Sequence, residues 1–186
     1  FAVSSGYELT VAMEDYLDYA LDLPETRVVG LFLETSRYPE KLIKAFKKAN
    51  QRNIPIVVLK VGRTDLAAEL AISHSGALAG SDQCYSALFD QYGVQRVADM
   101  DQLATTLIMF AQPKTVSEGG LVCLHDSGGE RQLLIDLADS AGVPLAQFSD
   151  STVTRLEGLL DPGLPAVNPL DAWGAGGPHA PAKMAA

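Results

Sequence analysis

Two runs of apolar, largely β-branched residues, RVVGLFLE (27–34) and IPIVVLKVG (54–62), flank the segment YPEKLIKAFKKANQRN (38–53). Runs of that length read as strands buried on both faces, and the apolar period of the segment between them reads as a helix. Strand, helix and strand in close succession make a βαβ unit, whose two strands must lie parallel. The alternation continues through a helix from about Ser81 to Tyr92, a short strand at VQRV and a helix from about Asp99 to Gln112. After PKTVSEGG it restarts with the strand LVCLHD (121–126), a helix from about Gly128 to Ala141, the short strand PLAQF and a helix from about Ser151 to Leu160. The fold class expected is α/β, a parallel sheet with helices on both faces, followed by the start of a second, similar unit.

Pro, Ser and Gly gather near 113–119, which places the boundary there and the two domains at 1–115 and 116–186. The second unit reads as cut short, because after Leu160 the text DPGLPAVNPLDAWGAGGPHAPAKMAA has no periodicity. The start at Phe1 and this ending are those expected of a piece of a longer protein. Among 186 residues, 14 Lys and Arg stand against 23 Asp and Glu, a net charge of −9 that argues against nucleic-acid binding. The one basic cluster, KLIKAFKKANQR (41–52), reads as the wet face of an amphipathic helix. No apolar run approaches the ~18 residues of a membrane span. Cys84 and Cys123 lack metal-ligand spacing, so reduced thiols, a cytoplasmic location and no metal site are expected.

In open α/β sheets ligands bind at the carboxyl ends of the strands. The loop after IPIVVLKVG carries SHSGALAG (73–80), a histidine between two serines followed by small residues. Ser73, Ser75 and Gly76 leave backbone amides open to an anion, and Ser81 with Asp82 stands where the next helix is capped. A neutral imidazole at His74 is a competent nucleophile toward phosphorus near neutral pH. A hydrogen-bonded, inert loop histidine satisfies the same spacing. Glu34 ends an apolar strand; it either faces solvent or points into the cleft of His74, where a carboxylate would fix the ring tautomer. A second strand-to-helix joint, HDSGGE (125–130), offers Ser127, Gly128 and Gly129 as a phosphate cradle, although a plain capped turn fits equally.

Taken together, the motifs resemble those of the NDP-forming acyl-CoA synthetases, the ADP-forming acetyl-CoA synthetase group related to succinyl-CoA ligase. The segment GRTDLAAELAISHSGALAGSDQCYSALFDQYGVQRVADMDQL (62–103) is similar to that family's phosphohistidine segment. SSGYELTVAMEDYLDYALDLPETRVVGLFLE (4–34), LVCLHDSGGERQLLIDLADSAGVPLAQFS (121–149) and NPLDAWG (168–174) are similar to its flanking elements, in the family's order. Tyr7, where Asn is usual, Glu130 beside the second joint, and His125 with Asp126 depart from the pattern. His125 reads as a strand-end residue and His179 as incidental.

The resemblance implies a flavodoxin-like, succinyl-CoA ligase-like fold whose first strand is missing, followed by the opening of a second ligase-like domain. It implies that His74 accepts and passes on a phosphoryl group, that Glu34 orients and stabilises it, and that Ser127, Gly128 and Gly129 hold phosphate. Asn168, Asp171 and Trp173 would lie near the edge of the acyl site. CoA and ATP or ADP with Mg²⁺ would be substrates of the whole enzyme, with none expected to stay on this part alone. Its expected partners are a CoA-binding domain, an ATP-grasp domain and a small carboxylic acid, within an oligomer. The expected reaction couples acid–CoA ligation to nucleotide and phosphate turnover through phosphohistidine and acyl phosphate. Two other readings fit the same resemblance: the regulatory region of a protein acyltransferase, and a synthetase relative that couples thioester formation to an elimination.

Overall fold

Strand β2 (Ile56–Lys60) is buried at all five positions, the signature of a central strand in a parallel sheet. It pairs in parallel with β1 (Val29–Leu33) on one side, Leu31 opposite Val58, and with β3 (Gln95–Val97) on the other, Val58 opposite Arg96. The order is β1-β2-β3. These coordinates are a computed structural model that describes residues 1–64, 66–67, 81–113 and 118–172. They divide into two compact units, Phe1–Thr115 and Val116–Ala186.

Because side chains alternate along a strand, each face of the sheet carries its own core. Leu31, Leu33, Ile56 and Val58 point one way, onto helices α1 (Met13–Asp22), α2 (Pro39–Gln51) and α3 (Asp82–Tyr92). Leu17 and Leu21 of α1, Leu42 and Phe46 of α2, and Tyr85 and Phe89 of α3 complete that core. Val57 and Leu59 point the other way, onto Leu103, Leu107 and Phe110 of α4 (Met100–Phe110). Gly30 of β1 lies directly under α4: a Cβ there would stand 2.7 Å from Leu107 Cδ1. The expected α/β architecture, with helices on both faces, is therefore present.

Helix α1 was not legible as an element from periodicity. Its backbone N–H groups at Ala12 and Met13 are taken by the carboxylates of Asp15 and Glu8, and its apolar side packs onto α2. The basic cluster of α2 meets the acids of α1: Lys41 pairs with Asp15 at 2.7 Å, and Lys48 with both Asp18 and Asp22 at 2.8 Å. Those cations are thus committed within the fold, which agrees with their reading as an amphipathic helix face. Solvent screens such exposed pairs, so burial of the apolar faces dominates.

The second unit holds β4 (Leu124–His125), α5 (Gly128–Ser140), α6 (Asp150–Glu157) and β5 (Leu170–Asp171). β4 and β5 run parallel, His125 opposite Asp171. Two expectations need correction here. The segment PLAQF forms no strand but a single bridge, Leu145 against Leu121. The Pro-rich text after Leu160, read as aperiodic, contains β5; a strand of two residues after a proline has no alternation to detect. Among the described residues, no helix is long and apolar enough to cross a membrane.

Candidate functional site

The carboxyl ends of β1 and β2 bring Glu34 and Lys60 together. Lys60, the last residue of β2, is only 2% exposed. Its ammonium donates to the carbonyl of Glu34 at 2.7 Å and to the carbonyl of Val61, and it lies 4.8 Å from the centroid of the Tyr85 ring. Burial pulls its pKa below the ordinary lysine value, an effect opposed in part by Asp82. Glu34 sits just past β1 with its side chain half-buried, and among the described residues nothing hydrogen-bonds its carboxylate. Gly62, with φ +69, turns the chain out of β2 toward the histidine loop.

A second buried charge supports the turn that follows Glu34. Glu14 of α1 is 1% exposed, and its Oε1 accepts from the Ser36 hydroxyl and from the Tyr38 amide. Its Oε2 has no partner among the described residues. The Ser36 amide in turn donates to the Tyr85 hydroxyl at 2.9 Å. Tyr85 therefore bridges two functions, accepting from the turn with its hydroxyl and facing the Lys60 ammonium with its ring. On the neighbouring strand, Arg96 of β3 donates to Asp82 and, at 2.6 Å, to the hydroxyl of Ser86. The bond from Arg96 to Asp82 holds the Asp82 carboxyl below its usual range. Ser81 occupies the N-cap position of α3, but its side chain makes no capping bond.

His74, with Ser73, Ser75 and Gly76, lies outside the described residues, as do Trp173 and His179. What the structure places is the frame: the strand end carrying Glu34, and the two anchors of the loop, Gly62 and Ser81.

In the second unit, Ser127 is the N-cap of α5 in an extended backbone conformation, with Gly128 and Gly129 its first helical residues. The helix N-terminus favours an anion. One is already there: Asp171 Oδ2 lies 3.3 Å from where a Cβ on Gly128 would stand. Glu130 in the first turn reaches His125, at 3.9 Å from Nδ1. Phosphate at this joint would have to share it with two carboxylates. Asn168 spends its amide on the backbone, accepting from Cys123 N–H and donating to the carbonyls of Leu121 and Ala146. It holds β5 in place rather than reaching outward.

Sequence reading singled out neither Lys60, Glu14 nor Tyr85. A lysine inside the run IPIVVLKVG was the available signal, since a cation in a fully buried strand needs a reason.

Comparison with known proteins adds an independent line. Residues 1–110 match the family model described as the succinyl-CoA ligase-like flavodoxin domain. The ADP-forming acetate–CoA ligase of Methanocaldococcus jannaschii is 32% identical over 95% of this chain, which covers 25% of that protein. The alpha subunit of ADP-forming acetate–CoA ligase II of Pyrococcus furiosus is 29% identical over 91% of this chain, covering 36% of that subunit. Among solved structures, the acetyl-coenzyme A synthetase 1 of Ca. Korarchaeum cryptofilum, in complex with phosphate and ADP, superimposes with a TM-score of 0.81. It is 26% identical, and the match covers 92% of this chain and 37% of that one. The chain thus spans between a quarter and two fifths of the length of these relatives.

Proposed function

From the premise that the chain belongs to the family of succinyl-CoA ligase-like flavodoxin domains, we propose that it is the phosphoryl-relay portion of an NDP-forming acyl-CoA synthetase. The observation that carries this reading is the similarity to ADP-forming acetate–CoA ligases along more than nine tenths of the chain, through both units.

In this reading the imidazole of His74 attacks the terminal phosphorus of the nucleoside triphosphate, forming an N–P bond and releasing the diphosphate. A carboxylate oxygen of the acid then attacks that phosphorus, giving an acyl phosphate and freeing the imidazole. The CoA thiolate finally attacks the acyl carbon and expels inorganic phosphate. All three steps reverse, so the same groups serve ATP synthesis. Glu34 would accept a hydrogen bond from the ring nitrogen not bonded to phosphorus, which fixes the tautomer and stabilises the positive ring. Ser73, Ser75 and Gly76 would present donors to the phosphoryl oxygens.

Ser127, Gly128 and Gly129 are the proposed second phosphate cradle, provided that Arg131 or substrate-borne Mg²⁺ offsets Asp171 and Glu130. Asp171 and Trp173 remain the proposed edge of the acyl site, with Asn168 behind them. CoA, nucleotide and the acid would be held largely by a CoA-binding domain and an ATP-grasp domain, on the same chain or a partner subunit. The test is CoA-dependent nucleotide turnover by the full-length protein over a panel of small carboxylic acids. Turnover with at least one acid that requires both CoA and nucleotide is expected. Nucleotide hydrolysis indifferent to CoA and to every acid would overturn the reading.

A further inference from the structure

The four residues before Lys60 in β2 are Ile, Val, Val and Leu, all buried, and a fifth aliphatic residue would extend the core that Ile56 and Val58 already form on that face. The strand ends instead in an ammonium that is 2% exposed. Burying a cation is unfavourable even when its N–H groups are satisfied. Among the described residues no carboxylate lies within ion-pair distance of it. Its direct contacts among the described residues are two backbone carbonyls and the face of a tyrosine, all neutral, while Asp82 and Glu34 act on it only through longer-range attraction.

Those two carbonyls explain the placement. One belongs to Glu34, the first residue after β1, and the other to Val61, the first residue after β2 and immediately before the turn at Gly62. Neither carbonyl takes part in the β1–β2 register, which ends at Leu33 opposite Lys60. The ammonium therefore fastens together two strand ends just where sheet pairing stops holding them. Tyr85 fixes the ammonium from α3, the helix that follows the histidine loop, and its hydroxyl accepts from Ser36 two residues beyond Glu34.

We propose that Lys60 is a positioning residue for phosphoryl transfer, clamping the strand end that carries Glu34 to the start of the loop that leads to His74. The inference rests on the relay reading above. The clamp sets where the acid stands relative to the loop entrance, at the carboxyl end of the sheet, where ligands bind in open α/β folds. Burial lowers the pKa of the ammonium, and the carboxylates of Asp82 and Glu34 oppose that shift from a distance.

The test uses the full-length protein with Lys60→Met, which removes donors and charge, and Lys60→Gln, which keeps two donors. The rate of protein labelling by ATP carrying a labelled γ-phosphate, the KM for CoA, and folding by circular dichroism are measured together. Expected is a fall in labelling rate of tenfold or more for Lys60→Met, a smaller fall for Lys60→Gln, and an unchanged KM for CoA in both. A general structural defect would raise the KM for CoA as well, and that result would overturn the inference. So would Lys60→Met labelling at the wild-type rate, or loss of folding in both variants, which would make Lys60 a stability residue alone. Wild-type protein that takes no label at His74 overturns the relay reading itself, whereas normal wild-type labelling with indifferent variants overturns only the clamp.

Discussion

Gly120 leaves no room for a side chain. A Cβ at that position would stand 2.4 Å from the nitrogen of Ala146, 2.7 Å from the carbonyl carbon of Leu145 and 2.8 Å from the oxygen of Pro144. All three are backbone atoms, and they cannot retreat freely. Leu121 donates to Pro144 at 2.7 Å, Ala146 donates to Leu121 at 3.0 Å, and the Asn168 amide holds the carbonyls of both Leu121 and Ala146. Relieving a contact that short requires movement of about 1 Å, since apolar carbon packs near 3.5–4.0 Å. Gly120→Ala therefore breaks the bridge. Two backbone hydrogen bonds at about 1 kcal/mol each, with overpacking strain of about 1 kcal/mol, give a loss near 3 kcal/mol. The reduced freedom of the unfolded chain returns about 0.5–1 kcal/mol of that. The net local destabilisation of about 2–2.5 kcal/mol corresponds to exchange some thirty- to seventyfold faster at the Leu121 and Ala146 amides. Native-state hydrogen exchange on this chain reads those two amides directly. Protection within threefold of wild type would refute the argument that these backbone contacts fix the segment.

Phe46→Ala empties a fully buried site between Phe89 and Tyr92, each ring 6.2 Å away, and should lower unfolding stability of the first unit by about 3–5 kcal/mol in urea. A loss below about 1 kcal/mol would mean that the α2–α3 core re-forms without it. Arg96→Met removes the hydrogen bond that keeps the Asp82 pKa low. Because the folded value lies below the unfolded one, this pair adds stability above the unfolded pKa and loses it as pH falls through the folded one. The variant should therefore be less stable than wild type at neutral pH, by about 0.5–1 kcal/mol, with the gap closing in acid. Carboxyl-carbon NMR should show the Asp82 titration moving up; an unmoved midpoint contradicts the assignment.

The fold was legible where burial is continuous. IPIVVLKVG announces β2 because parallel pairing on both sides buries both its faces. RVVGLFLE announces β1 by its apolar run, although Gly30 and Phe32 are exposed and only one face is buried, and Leu42, Phe46 and Ala49 announce α2 by their spacing. Helix α1 escaped because MEDYLDYALD interleaves acids with apolar residues whose face is set by α2, an element far along the chain. β5 escaped because its pairing with β4 is a long-range fact carried by two residues. In the site, Glu34 could be named from its position at a strand end. Lys60, Tyr85 and Glu14 could not be assigned roles, since a buried charge acquires meaning only from the carbonyls and hydroxyls that tertiary structure brings to it. The glycines of the second joint fit either a phosphate cradle or a plain capped turn, while the proximity of Asp171 to Gly128 depends on β5 and was invisible.

The central claim is that one imidazole carries phosphorus while the acid at the end of β1 steadies it. The full-length protein should be exposed to ATP labelled on its terminal phosphate, quenched in base to preserve N–P bonds, and mapped by peptide mass spectrometry. The account predicts stoichiometric label on His74, reduced in amount and lifetime by Glu34→Gln and abolished by His74→Asn. Label on another residue, or label that survives His74→Asn, would contradict it.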